Sequence, residues 1–183
     1  MSRIAGTLLF LSFAVAVAAC AGSGPPRLDP VGDVIPAGVS LEGRWQLRAG
    51  AEEAERLIRR SQYRSSGGKR GAEGPSVYVF LRTGSRLKIT QTPYALFVSF
   101  DRSVVEEYRF REHRPVNVGP LQADRASGWV GGAYVIRTLD GEGALLEERY
   151  VPGASSEELV RTVSVVYRNE EVLSLRQVYD RRD

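Results

Sequence analysis

The chain has 183 residues, a formal charge of +3, one cysteine and one histidine. This length supports one domain with a core of ordinary size, and the charge is mild, with no long block of one sign to suit nucleic acid. A single cysteine excludes an internal disulfide, and a single histidine excludes a metal site built from several His or Cys ligands.

Residues 1–19 carry one charged side chain, Arg3, followed by an apolar run from Ile4 to Ala19. The run is shorter than the ~20 apolar residues of a comfortable membrane span and ends in small residues, the pattern of a secretory signal. Val17-Ala18-Ala19-Cys20 resembles the lipobox of bacterial lipoproteins. The resemblance implies cleavage before Cys20, acylation of its thiol and a mature chain tethered to a membrane there. An ordinary signal peptide cut near Ala19 or Ala21, or a retained anchor, are the competing readings. One acyl chain holds a protein only marginally; lipoproteins of this type carry a diacylglycerol plus an N-acyl group. Ala21, standing where an inner-membrane lipoprotein has aspartate, implies the outer membrane and a periplasm-facing domain. Acylation would also remove the one thiol, and with it any Cys/His nucleophile pair.

Residues 20–40 hold four prolines and several glycines and read as a lipidated cysteine followed by an extended, semi-rigid linker. Val34-Ile35 is the part of it able to dock on a domain. Leu41 to Arg48 then alternates, with Leu41, Gly43, Trp45 and Leu47 on one face and Glu42, Arg44, Gln46 and Arg48 on the other, which predicts a half-buried strand. Gly43-x-Trp45 resembles the first-strand motif of the lipocalin and fatty-acid-binding barrels. There the Trp closes one end and the Gly lets another segment approach closely.

A helix is predicted over 51–63, with Ala51, Ala54, Leu57, Ile58 and Ser61 on its apolar face and acidic residues ahead of basic ones. A Gly-rich loop follows to Pro75. Gly68-Lys69 fails the phosphate-loop pattern, since Arg70 stands in place of Ser or Thr and Tyr63 in place of the first Gly. The basic cluster Arg56, Arg59, Arg60, Arg64, Lys69 and Arg70 reads as a solvated face rather than a site for anionic lipid or polysaccharide.

From Ser76 onward short alternating runs separated by turn signals predict strands near 77–82, 86–92, 95–100, 103–111, 122–130, 133–139, 144–151, 158–168 and 172–181. Parity tests the hairpins. Ile89 and Val98 share a face across Pro93-Tyr94, and the odd-numbered apolar residues of 163–167 and 173–179 share one across Asn169-Glu170-Glu171. This loop places Val165 opposite Leu175 and Arg161 opposite Tyr179. In Ser127-Gly128-Trp129-Val130-Gly131-Gly132 the glycines predict a bulge or a close backbone approach.

Residues 41–183 are thus expected to form one all-β domain, an antiparallel up-and-down barrel of about 8–10 strands with one early α-helix. The order of elements resembles the fatty-acid-binding branch of the calycins. That resemblance implies a ligand carboxylate held by an inward Arg-x-Tyr pair on the last strand. This chain departs from it: Arg176 and Tyr179 point to opposite faces, Gln177 shares the face of Tyr179, and the nearest inward cation is Arg161.

Glu106, Glu148, Arg161 and Gln177 interrupt otherwise apolar faces. Either they pair inside a wet cavity and read a head group, or the strand ends carrying them reach solvent at the barrel mouth, and the second is expected. The candidate ligand contacts are Arg161, Tyr179, Gln177 and Tyr108. A Ser-His-Asp triad would need His113, beside Arg114-Pro115 in a stretch read as a loop, so no catalytic residue, metal or cofactor is expected. The function expected is a membrane-anchored envelope lipoprotein carrying a hydrophobic small molecule, with no nucleic-acid partner. The alternative is an interaction module with a packed barrel. An interior filled by Trp45, Phe80, Phe100, Phe110, Tyr150 and Trp129 would favour the alternative.

Overall fold

The computed structural model of the chain describes residues 27–29, 31–48, 55–59 and 75–183. The signal peptide, Cys20, the first part of the linker and most of the predicted helix with its basic loop lie outside the described residues. Ten antiparallel strands follow one another around a nearly closed barrel. They are β1 (Gly43–Leu47), β2 (Arg86–Gln91), β3 (Ala95–Phe100), β4 (Val104–Arg109), β5 (Glu112–Val118), β6 (Leu121–Val130), β7 (Ala133–Asp140), β8 (Leu145–Pro152), β9 (Glu158–Tyr167) and β10 (Glu170–Arg182). The order is β4-β3-β2-β1-β10-β9-β8-β7-β6-β5, so the first strand pairs with the last and only β4 and β5 lack a mutual ladder.

The hairpins follow their turn chemistry. Gly131 and Gly132 both have positive φ and join Val130 to its partner Ala133 in a two-residue turn. Ile89 faces Val98 as parity requires. The last hairpin keeps the predicted parity but not the register. Its turn is Arg168-Asn169, both at positive φ, and a bulge between Glu171 and Leu173 restores the shared face. One bulged residue plus a two-residue turn has the same parity as a three-residue loop. Val165 therefore faces Leu173 instead of Leu175, and Arg161 faces Gln177 instead of Tyr179.

Two stretches differ in kind from the expectation. Ser76–Phe80, read as part of a strand, is a 3₁₀ turn with Val77, Tyr78 and Phe80 buried. β propensity describes fit to a half-buried pleat, and this segment is buried on nearly all sides. The Asp140 carboxylate fixes it, accepting from the Ser76 hydroxyl and the Val77 N–H. Glu112–Val118, read as a loop around His113-Arg114-Pro115, is β5. It is an edge strand, where a proline without an N–H and a row of charges are tolerated because one side needs no ladder.

Part of the predicted linker is docked. Leu28 and Val31 are buried on the outer face of β6 and β7 with Ala126, Ala133, Val135 and Leu139. The Trp129 N–H donates to the Gly32 carbonyl at 2.9 Å. Gly128 makes this approach possible, since a Cβ there would lie 2.0 Å from the Gly32 oxygen. Ile35 and Val39 reach the main core, while Val34 is exposed.

Gly128→Ala is expected to lower the unfolding free energy by about 1–3 kcal/mol through overpacking against the strap. Gly141→Ala, where an added Cβ meets nothing within 4 Å, should leave it nearly unchanged; urea denaturation measures both.

Candidate functional site

The interior is organised by one cation. Arg161 on β9 is 0% exposed, and its ion-pair partner Glu148 on β8 is 1% exposed. The register that places Tyr150 and Gln177 beside Arg161 turns all three inward. One Nη group of Arg161 donates to Gln177 Oε1 at 3.1 Å. The other reaches Glu148 and also the main-chain carbonyl of Arg82 at 2.7 Å. The guanidinium carbon lies 5.5 Å from the ring centres of both Phe100 and Tyr150. Gln177 in turn donates to Glu55 at 2.7 Å, on the helical stretch 55–59. Tyr179 donates to the Gly84 carbonyl at 3.2 Å.

The solvated reading of these residues is therefore overturned: Arg161, Glu148, Gln177, Tyr179 and Tyr108 are all buried, and only Glu106 keeps partial exposure. The predicted set comes together around Arg161, though Tyr179 sits two register pairs along from it, opposite Leu159. Sequence reasoning missed what the cluster holds. Two carbonyls of the segment 76–84 and the Glu55 carboxylate occupy the donors of Arg161, Tyr179 and Gln177. A main-chain carbonyl leaves no sequence signal. For Glu55 the helix phase misled: Glu55 and Ile58 face inward and Leu57 is exposed.

Residues 76–84 act as a plug. Val77, Tyr78 and Leu81 pack with Ile58 against Ala144, Leu146, Val163 and Val165. The remaining oxygen of Asp140 accepts from the N–H groups of Glu142 and Ala144, so one carboxylate ties the plug to the β7–β8 turn. Below the plug, Trp45, Phe100, Tyr108, Trp129, Tyr134, Tyr150 and Tyr179 belong to one buried cluster, with Phe110 half-buried against it. Phe80 is also buried, so five of the six aromatic side chains set as the test of a filled interior are inside. Trp45 donates to the Leu41 carbonyl at 3.1 Å, and the Arg181 guanidinium covers its ring at 4.3 Å. Gly43, at φ 149°, leaves room for that guanidinium, which a Cβ would clash with.

The seam between β4 and β5 is stitched by side chains in place of a ladder. Arg114 donates to the Glu107 carbonyl, Ser127 to that of Arg109 and Tyr134 to that of Tyr108. Glu106 bridges Arg82 at 2.6 Å and Arg125 at 3.4 Å. A cleft of about 360 Å³ opens there, walled by Phe80, Arg82, Glu106, Arg114 and Arg125. Behind it, the hydroxyl of Tyr108, Nε of Arg161 and Oε1 of Glu148 are buried without a hydrogen-bond partner among the described residues.

Burial pushes the hydroxyls of Tyr108, Tyr134 and Tyr150 well above the ordinary tyrosine range and that of Tyr179 up to about 12. Burial opposes the charge on Arg161, but its pKa is nonetheless raised: the Glu148 carboxylate beside it, which also accepts its hydrogen bond, keeps the guanidinium protonated.

No protein-family model matches the chain, and no curated protein matches it in sequence. Solved structures match its fold. A secretory abundant heat soluble protein from Ramazzottius varieornatus aligns over 79% of this chain and 97% of its own, at a TM-score of 0.52 and 13% identity. The likeness shows the fold alone, an antiparallel up-and-down β-barrel. A Schistosoma mansoni fatty acid binding protein in complex with arachidonic acid aligns over 78% and 96%, at 0.48 and 9% identity. A zebrafish ileal bile acid-binding protein complexed with cholic acid aligns over 77% and 98%, at 0.46 and 13% identity.

Arg161→Met is expected to destabilise the fold by roughly 3–5 kcal/mol, because it leaves Glu148 buried and unpaired. Adding Glu148→Leu should recover most of that loss in denaturant titrations. The buried tyrosines also set an alkaline limit. Tyr179 has a folded pKa of about 12, and its unfolded value is about 10. The unfolded chain therefore loses its protons first. Stability should hold below about pH 10 and fall as pH rises through about 12, read as tyrosinate absorbance appearing together with unfolding.

Proposed function

We propose that the chain is a lipid-anchored protein of the cell envelope, held through acylated Cys20 at the outer membrane and facing the periplasm. Its barrel binds a hydrophobic small molecule with a polar head, and it is not an enzyme. The observation that supports binding is the buried Arg161 cluster, where Tyr108, Arg161 and Glu148 keep polar atoms that no group among the described residues meets, behind an unzipped seam.

The plug sets the kind of ligand. Access to Arg161 uncovers Val77, Tyr78, Phe80 and Leu81, at roughly 1.5–3 kcal/mol each, or roughly 6–12 kcal/mol together. A ligand offsets this only by burying comparable apolar area. At ~0.8 kcal/mol per methylene, that requires an alkyl chain of about 8–15 carbons. The polar head would take the place of the Arg82 carbonyl on Arg161.

The filled interior favours a second reading, a packed barrel that acts as an interaction module, since the chain's own atoms already engage Arg161 and Tyr179. Native mass spectrometry of protein released from membranes separates the two. Binding predicts a mass adduct lost on solvent extraction, uptake of long-chain but not short-chain fatty acids, and loss of uptake in Arg161→Ala. Asp140→Ala, which frees the plug, should speed uptake. A bare mass that stays bare with every chain length would leave the packed module. Cys20→Ser should move the protein from the membrane to the soluble fraction, and retention on the membrane would sink the anchoring proposal.

A further inference from the structure

The outer face of β10, β1 and β2 carries a row of cations that the barrel interior does not explain. Register places Arg182 opposite Arg44, and Arg44 opposite Lys88. Three positive charges thus stand side by side across three strands, spaced at about 4.8 Å. Arg86, two positions along β2, and Arg102, in the β3–β4 turn, add two more. The five line one groove of about 420 Å³, whose one acidic lining residue is Asp183.

Like charges directly opposite each other destabilise a sheet. Several other cations of this barrel are matched, Arg48 with Glu158 and Asp180, Arg82 with Glu106, and Arg137 with Glu147. In the groove, Arg86 reaches Asp101 only at 3.9 Å, and Arg44, Lys88 and Arg102 have no ion pair among the described residues. Charges kept in line without compensation suit an anionic partner.

Size and surroundings narrow that partner. The row spans two strand spacings, about 10 Å, more than one phosphate or carboxylate can bridge. The ligand must therefore present several anionic groups in a line. A bilayer-binding surface sets Trp, Phe or Leu beside its basic residues. None of the exposed large apolar side chains, Val105 and Tyr94 among them, lines this groove. Single-stranded nucleic acid stacks its bases on exposed aromatics; the groove's one aromatic, Trp45, is buried. We propose that this groove binds an extended acidic polysaccharide, whose ring-borne carboxylates repeat at about the spacing of neighbouring strands.

Titration of the full chain, in neutral detergent, with polygalacturonate tests this. Binding should weaken on the order of a hundredfold between about 50 and about 200 mM salt, as expected for about five charge contacts. Arg44→Ala with Lys88→Ala should weaken it by roughly tenfold or more, since two of those contacts are lost. Arg27→Ala with Arg176→Ala, which removes the same charge outside the groove, should not. Absence of binding, or equal loss in both double variants, overturns the proposal. Equal or tighter binding to phosphatidylglycerol in mixed detergent micelles, or to oligothymidylate, that is lost in the Arg44→Ala, Lys88→Ala variant overturns it in favour of a membrane or a nucleic acid. None of these readouts depends on ligand in the barrel.

Discussion

The buried ion pair of Arg161 and Glu148 is the constraint around which the interior is built. A charge taken out of water is tolerable only when its donors and acceptors are met by a partner and by further hydrogen bonds. Here those come from four parts of the chain: Glu148 on β8, Gln177 on β10, the Arg82 carbonyl of the plug and, through Gln177, Glu55 on the helical stretch. Barrel and plug therefore support each other. The plug covers the upper interior with apolar side chains, and the barrel's one fully buried cation ties down the plug's main chain.

A second constraint lies at the seam. A ten-strand sheet wrapped this far must close or leave two edges, and edges invite pairing with other chains. Here β4 and β5 are consecutive yet unladdered, and side chains from β5, β6 and β7 satisfy the β4 carbonyls. Side-chain bonds can break singly, whereas a ladder opens cooperatively. The seam is thus the part of the wall able to yield at least cost, and the unmet polar atoms of Tyr108, Glu148 and Arg161 lie behind it. Carrier and packed module differ only in whether that yielding happens in use.

The outer faces divide the work. The β6–β7 face is covered by the strap residues Leu28, Val31 and Gly32, admitted by the bare backbone of Gly128. The β10–β1–β2 face, far around the sheet order, is left open and basic. A chain that spends apolar residues to cover one face and keeps unpaired arginines on another has two different surfaces, and the second is independent of anything held inside.

The sequence by itself determined a count of about ten strands, with one misplaced (77–82 for Glu112–Val118), the antiparallel up-and-down order and the inward face of most strands. Alternation and turn chemistry are local, and parity carries them across each hairpin. It also marked Arg161, Tyr179, Gln177 and Tyr108 as inward polar positions, and Gly128 as a place of close approach. Only the tertiary structure decided the rest. The bulge at Glu171–Leu173 moved Gln177, not Tyr179, opposite Arg161, because a bulge and a longer loop have the same parity. The run Val77-Tyr78-Val79-Phe80 became a 3₁₀ plug because the Asp140 carboxylate, 63 residues away, takes the Val77 N–H. Arg161 is buried instead of solvated because the carbonyls of that plug meet its donors. The row Arg182–Arg44–Lys88 joins residues from both ends of the chain, and no local pattern contains it.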